Sequence, residues 1–471
     1  MATETQESPL EALEEQLQEL LHADDAEGLH ALLDRQNISD VAELINRFPE
    51  QEALILGSLS MHRAISTFKI LDFPTQKRII QEQVPSKTAE LLNGLPADDR
   101  TSFLEDLPSE VVKELIKMLN PEERKITLSL LGYPESSVGR LMTPDYIAVQ
   151  KDWTVREVIR HIRSEGKDSE TIDVIYVVDD KGVFIDDIRI REIILADPNK
   201  VIADVIDNRY VYLNVTDDQE TASQTFKMNN RVALPVLDAN HVLLGIVTID
   251  DVLWVATEEL TEDIQKIGGS EALDHPYLET PFFQLIRKRV GWLIILFLSE
   301  MLTATAMAYY NDELAKVLIL TNFIPLIMSS GGNSGSQAST LIIQAMALGE
   351  ITLSDWWRVM RREVLSGLVL GAILGTIGFI RIFTWHLLMV NGIFKDIYKP
   401  HWELIGLTVS FSLVGVVLWG TFSGSMLPIA LKKLGADPAA SSAPFVATLV
   451  DVTGLIIYFT VASYFMQGMM A

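Results

Sequence analysis

The chain holds 471 residues, with 64 acidic against 38 basic side chains, a formal net charge of −26 and no cysteine. The charge is lopsided: residues 281–471 carry ten acids and twelve Lys or Arg, which leaves −28 on residues 1–280. Phosphate binding needs clustered Lys and Arg, so no nucleic-acid partner is expected, and without thiols there is neither a disulfide framework nor a thiolate metal site. The pattern is that of a soluble acidic module, whose field attracts cations, followed by an apolar one.

The first residues, MATETQESPLEALEEQLQELLH, lack a basic stretch followed by an apolar core and are not read as a signal peptide. Residues 9–132 read as all-helical. Apolar residues recur at helical spacing over 9–21. A short motif then repeats every eleven or twelve residues: Leu95-Pro96-Ala97-Asp98, Leu107-Pro108-Ser109-Glu110 and Leu119-Asn120-Pro121-Glu122, with Phe73-Pro74 and Val84-Pro85 as weaker copies. Proline at a helix entry, followed by an acid in the first turn, is a start signal. Stacked short helices forming a small superhelix are expected, with a plain helical bundle as the alternative.

From about Arg140 the period changes. Residues 171–178 and 211–215 are β-branched and strand-like. Two units of one plan follow each other, each a strand, a helix (154–164; 219–228), a strand pair and a closing helix. The second pair is clearest: 232–237, a turn at Asp238-Ala239-Asn240, then 242–247. The run from Leu234-Pro235-Val236-Leu237-Asp238 through Leu244-Gly245-Ile246-Val247-Thr248 to Asp250-Asp251 resembles a cystathionine-β-synthase (CBS) domain. Two such units in tandem imply one regulatory module, and the resemblance makes Thr248 and Asp251 candidate nucleotide ribose contacts. In the first unit Asp186, Arg189 and Glu192 stand in place of the Gly, Thr and Asp. Residues 254–267 then read as an amphipathic, acid-rich helical connector ending at Gly268-Gly269.

Five apolar spans, 290–309, 318–348, 364–390, 404–431 and 445–469, each reach the ~20 residues needed to cross a bilayer. Basic residues gather before span one (Arg287, Lys288, Arg289), between spans two and three (Arg358, Arg361, Arg362) and between spans four and five (Lys432, Lys433). That bias places residues 1–280 in the cytoplasm and the C-terminus outside. Ionisable and amide side chains inside a membrane are costly and mark function. Span two carries Gly331, Gly332, Asn333, Gln337 and Thr340, span five carries Asp451, and span one carries Glu300. Small-residue helix packing would account for the glycines but not for the amides. Arg381 offers an ion pair to either Asp451 or Glu300; a cation site is the preferred reading of Asp451. A carboxylate doubled by a two-fold axis suits Mg²⁺, which keeps much of its water and takes one or two carboxylates.

The runs Gly331-Gly332-Asn333-Ser334-Gly335-Ser336-Gln337 and Leu449-Val450-Asp451-Val452-Thr453-Gly454, in a chain ordered helical repeat, CBS pair, acidic helix and five spans, resemble the MgtE family of Mg²⁺ channels over nearly the whole length. The resemblance implies a multidomain membrane protein. It would have a helical superhelical N domain (1–136), an α/β tandem CBS pair (137–199 and 200–257), an acidic connecting helix (258–280) and an all-α five-helix transmembrane domain (281–471). It implies a homodimer in the cell membrane with an axial pore, Asp451 as the selectivity carboxylate, and cytoplasmic Mg²⁺ sites that include Glu259, Glu262, Asp263, Asp437 and Asp251. The pore lining would come from Gly331, Gly332, Asn333, Gln337 and Thr340. Ser336 departs from a common Asn, and Trp254 from an acid. Co²⁺, Mn²⁺ and Ni²⁺ are further candidate ions, and ATP is a candidate ligand of the CBS pair. The expected activity is Mg²⁺ uptake closed by cytoplasmic Mg²⁺, with a Na⁺- or H⁺-coupled Mg²⁺ exchanger as the alternative. No P-loop, zincin motif or nucleophile elbow points to an enzyme.

Overall fold

The computed structural model describes residues 9–273, 276–278, 280–310, 318–391, 398 and 401–466. It divides into two compact units, residues 1–257 and 258–471.

The first unit opens with short helices: α1 (Pro9–His22), α2 (Ala26–Leu33), α3 (Ile38–Arg47), α4 (Glu52–Gly57), α5 (Met61–Ile70), α6 (Phe73–Glu82), α7 (Pro85–Gly94), α8 (Ala97–Glu105), α9 (Ser109–Met118) and α10 (Pro121–Leu130). The proline motif sets where they begin. Pro96 and Pro108 stand at the N-caps of α8 and α9, Pro121 opens α10, and each first turn holds an acid that complements the helix dipole. The preceding leucines, Leu95, Leu107 and Leu119, are buried in a continuous apolar core. Helices pack on the one two further along the chain, α3 on α5, α4 on α6, α5 on α7 and α8 on α10, as in a solenoid.

A short helix, α11 (Val138–Leu141), leads into two units of one topology. In the first, β1 (Ala148–Gln150) and α12 (Val155–Glu165) precede β2 (Val174–Val178), β3 (Phe184–Arg189) and α13 (Ile190–Leu195). In the second, β4 (Leu213–Asn214) and α14 (Gln219–Asn229) precede β5 (Ala233–Leu237), β6 (Leu243–Thr248) and α15 (Ile249–Ile267). Each sheet pairs its first two strands parallel and its last two antiparallel, and each breaks register near the end of the central strand, at Val177/Val178 and Val236/Leu237. The hairpin turns match as well. Asp179 Oδ1 accepts from the Lys181 and Val183 amides, and Asp238 Oδ1 from those of Asn240 and Val242. Bridges between Thr143 and Ile246 and between Val183 and Val242 knit the pair together.

Most observed elements of this unit differ from the expected ones by one to three residues at their ends, where hydrogen bonding frays; the expected closing helix and the connector at 254–267 are one continuous helix, α15, which begins at Ile249. The first strand of the second unit shrinks to Leu213–Asn214, because only those residues find register on β5. Asp186 substitutes for a glycine with a purpose: fully buried, its carboxylate accepts from the amides of Asp187, Asp207 and Asn208.

The second unit is built from α16 (Phe282–Tyr309), α17 (Ile324–Ala347), α18 (Trp356–Val390), α19 (Trp402–Lys433) and α20 (Ala443–Phe465). Among the described residues, α16, α18, α19 and α20 are long and apolar enough to cross a membrane. Helix α17 falls short of that mark because its middle is the Gly/Ser/Asn/Gln run. That run is where the backbones close in. A Cβ on Gly420 would lie 2.3 Å from the Gly331 carbonyl oxygen, and one on Gly424 2.1 Å from that of Gly335. Small residues spaced four apart on both helices therefore permit an α17–α19 contact that no alanine would fit. Ser336 and Ser339 satisfy their hydroxyls on the carbonyls of Ala443 and Ser441, pinning α17 to the start of α20.

Candidate functional site

In the second unit a cavity of about 460 Å³ lies between α16, α17 and α20. Its walls carry Glu300 and Thr303 from α16, Ser329, Gly332 and Asn333 from α17, and Asp451 from α20. Asn333, Gln337 and Thr340 fall on one face of α17 by helical spacing, and the first two are exposed. Gly331 belongs elsewhere: it is turned away from the cavity, where an added Cβ would meet Val416 and Val450, so its work is packing. Among the described residues no ion pair engages Asp451 or Glu300. The guanidinium of Arg381 lies 4.7 Å from the Trp385 ring instead, which removes the proposed Arg381 pairing with either acid.

The connector acids lie on α15. Glu259, Glu262, Asp263 and Lys266 share one face by i, i+3/i+4, i+7 spacing. The ammonium of Lys266 sits between two of the expected ion ligands, paired with Glu262 one turn back and 2.7 Å from Asp437 Oδ2. Burial would lower the Lys266 pKa, but hydrogen bonds to Asp437 and Glu262 outweigh that and raise it. Asp437 also accepts from the Ala439 amide at 2.8 Å, capping the turn that leads into α20. Thus Asp437 and Glu262 are brought together, but around a lysine.

Asp251 is placed in the first unit, where an acidic cluster joins the helical repeat to the CBS pair. The Thr248 hydroxyl is 2.5 Å from Asp250 Oδ1 and 2.6 Å from Asp251 Oδ2. One hydroxyl carries one proton and can donate to one of them. The second contact is completed when a carboxyl is protonated or a cation bridges the pair. Burial, together with Asp250 and Asp99, pushes Asp251 up to about 7 despite the Thr248 hydrogen bond. Asp98, fully buried at the start of α8, is raised further by burial and then by Asp251, Asp99 and Glu170. Burial also raises Asp99 and Glu170, and Lys69 opposes it, 2.7 Å from Asp99 and 3.9 Å from Glu170. Sequence reasoning took Asp98 for a helix-start acid and missed its second role. The signal available was an Asp-Asp pair directly after the Leu-Pro motif. Thr248 is buried in this cluster, so the two candidate ribose contacts are already engaged. Among the described residues no three acids or histidines converge tightly enough to hold a bare metal ion.

A helical repeat and a tandem CBS pair followed by four helices long and apolar enough to cross a membrane define the class of a multidomain, multi-pass membrane protein. Comparison with known proteins agrees. The divalent cation transporter model matches residues 324–461, the MgtE intracellular N domain model 36–136, and the CBS domain model 138–199 and 202–258. The magnesium transporter MgtE of Thermus thermophilus is 35% identical over 97% of this chain and 99% of its own, and that of Bacillus subtilis 27% identical over 93% and 94%. Among solved structures, the cytosolic domain of the Mg²⁺ channel MgtE in complex with ATP is 32% identical, with a TM-score of 0.50 over 51% of this chain and 99% of that one. The chain belongs to the MgtE family of magnesium transporters.

Proposed function

We propose that the protein is a Mg²⁺-selective channel that admits Mg²⁺ across the cell membrane, works as a homodimer with residues 1–280 in the cytoplasm, and closes when cytoplasmic Mg²⁺ is high. The observation that carries this is the cavity lined by Asp451 from α20 and Asn333 from α17, with no basic partner for the carboxylate among the described residues. One or two carboxylates plus amides around an ion that keeps its water is the chemistry of Mg²⁺, whereas Ca²⁺ takes six to eight oxygens. Helix α17 is the fifth span in this reading, its polar run tolerated because it is packed against α19 and α20.

Closure follows from the acidic cluster. At neutral pH Asp98, Asp99, Asp251 and Glu170 hold more negative charge than Lys69 offsets, and a hydrated divalent ion between Asp98 and Asp251 would relieve it. As Mg²⁺ falls, repulsion would loosen the helical repeat from the CBS pair. Glu259 and Asp263 serve in the same way along α15. ATP at the CBS pair belongs to this proposal, supported by the fold and by the ATP complex of the similar cytosolic domain. ATP contacting Thr248 and Asp251 would compete with the cluster they already form. The test is Mg²⁺ uptake into proteoliposomes, wild type against Asp451→Ala, with no other gradient imposed. Uptake that vanishes in the mutant supports the channel. Uptake that requires a Na⁺ or H⁺ gradient supports a coupled exchanger, and equal uptake by the mutant removes Asp451 from the path.

A further inference from the structure

Glu300 is the one acid within the hydrophobic stretch of α16, 18 residues into a helix of 28. A carboxylate at that depth persists against its desolvation cost when it is neutralised or does work. Neutralisation by the protein is not found: among the described residues no cation or hydrogen-bond donor is paired with it, and Arg381 is committed to Trp385. One turn further along α16, the Thr303 hydroxyl is closed off from solvent and has no hydrogen-bond partner. Both side chains line the cavity that Asp451 and Asn333 line from the other helices. The cavity holds about 460 Å³. Six waters around an octahedral ion occupy about 180 Å³ at the liquid volume per water, so a hydrated divalent ion fits with room for further water.

From this geometry we propose that Glu300 is a second carboxylate of the permeation path, contacting the water shell of the passing ion. The first span is then part of the ion path and not merely an anchor. This rests on the reading of the Asp451 cavity as the pore. Glu300 adds a negative charge on the wall opposite Asp451, so that a hydrated dication is held by two carboxylates through water while a monovalent ion is held more weakly. Its role is contact with the ion's shell, so the position needs a carboxylate but tolerates a change of reach.

The experiment uses the full-length protein in proteoliposomes and planar bilayers, comparing wild type with Glu300→Gln, Glu300→Asp and Asp451→Asn. The probes are Mg²⁺ and hexaamminecobalt(III), an inert six-ammine ion whose shell cannot be shed. Glu300→Gln is expected to raise the half-saturating Mg²⁺ about fivefold and to weaken hexaamminecobalt block about tenfold, as loss of one water-separated charge contact predicts. Glu300→Asp should return both to within about twofold of wild type. Unchanged block and unchanged half-saturation in Glu300→Gln would place Glu300 outside the path and overturn the proposal. Loss of flux in both Glu300 variants, with aggregated protein, would assign it a structural role and overturn it equally. Asp451→Asn with wild-type flux and block would instead sink the pore reading itself, an outcome separable from the behaviour of Glu300.

Discussion

Raising the pH at low Mg²⁺ should weaken the first unit, and Asp251 contributes a defined share of the effect. Its carboxyl titrates near 7 in the folded chain, against the ordinary 3.8. The folded state therefore binds more protons than the unfolded state between those values, so stability is greatest below about pH 4 and falls as pH rises through 7. The Asp251 share spans about 4 kcal/mol, and roughly 2–3 kcal/mol of it falls between pH 5 and pH 8. For a domain of this size that corresponds to a drop in Tm of roughly 5–10 °C. The assay is thermal unfolding of residues 1–273 followed by circular dichroism at both pH values in EDTA, wild type against Asp251→Asn. The variant removes one of the raised carboxyls and should shrink the pH step by that share. Mg²⁺ at a hundred times its Kd stabilises by about 2.7 kcal/mol, enough to cancel the step in the wild type but not to shift the variant comparably. A variant that keeps the whole step, or a wild type indifferent to Mg²⁺ at pH 8, would refute the idea that this cluster exchanges protons for divalent ions.

Lys266→Met leaves Glu262 facing Asp437 with no ammonium between them. Because the pair is half-exposed its worth is at most about 1 kcal/mol, so patch-clamp should show the closing Mg²⁺ concentration rising up to about fivefold, and Lys266→Met/Asp437→Asn should return towards wild type. Gly424→Ala forces its Cβ onto the Gly335 carbonyl; separating α17 from α19 should cost about 1–3 kcal/mol, seen as a lower Tm in detergent, whereas Gly435→Ala, with nothing near its Cβ but a φ of +78°, should leave that packing intact and cost only its left-handed backbone strain. Asp186→Ala strands three backbone amides and should lower the stability of residues 1–273 by about 2–4 kcal/mol in urea titration.

Local chemistry was legible, and its partners across the chain were not. Proline and the acid beside it fix a helix start from within four residues, and the leucine before each proline needs only to be apolar, so the helical repeat could be drawn. The duplicated α/β unit was equally open, because Asp179 and Asp238 build the same hairpin turn from their own neighbours. The burial of Asp98 depends on contacts remote in sequence, Asp251 and Glu170 among its neighbours, so the Asp98-Asp99 pair after Pro96 marks the place as unusual without showing that it is buried. On α15, Glu262 and Lys266 announce themselves by their spacing, but Asp437 lies 171 positions from Lys266. Gly331 and Gly332 are separated by one step of about 100° around the helix. That step decides which packs on α19 and which faces the cavity, and a run of small residues gives no reference for the angle.

The scarcity of donors is itself an argument about the ion. In the first unit one buried hydroxyl, that of Thr248, cannot serve both Asp250 and Asp251. In the second, Asp451 and Glu300 stand apart on the walls of a cavity larger than a hydrated ion. Neither place gathers three ligands among the described residues. A cation that must be stripped and wrapped in six to eight protein oxygens gains little from either arrangement. One that holds its own octahedron of water, and asks only for negative charge at the edge of that shell, gains from both. On the proposed reading the same preference for a wet dication recurs in two chemically different settings: in one the ion replaces protons on acids, and in the other it passes between carboxylates that have no basic partner among the described residues.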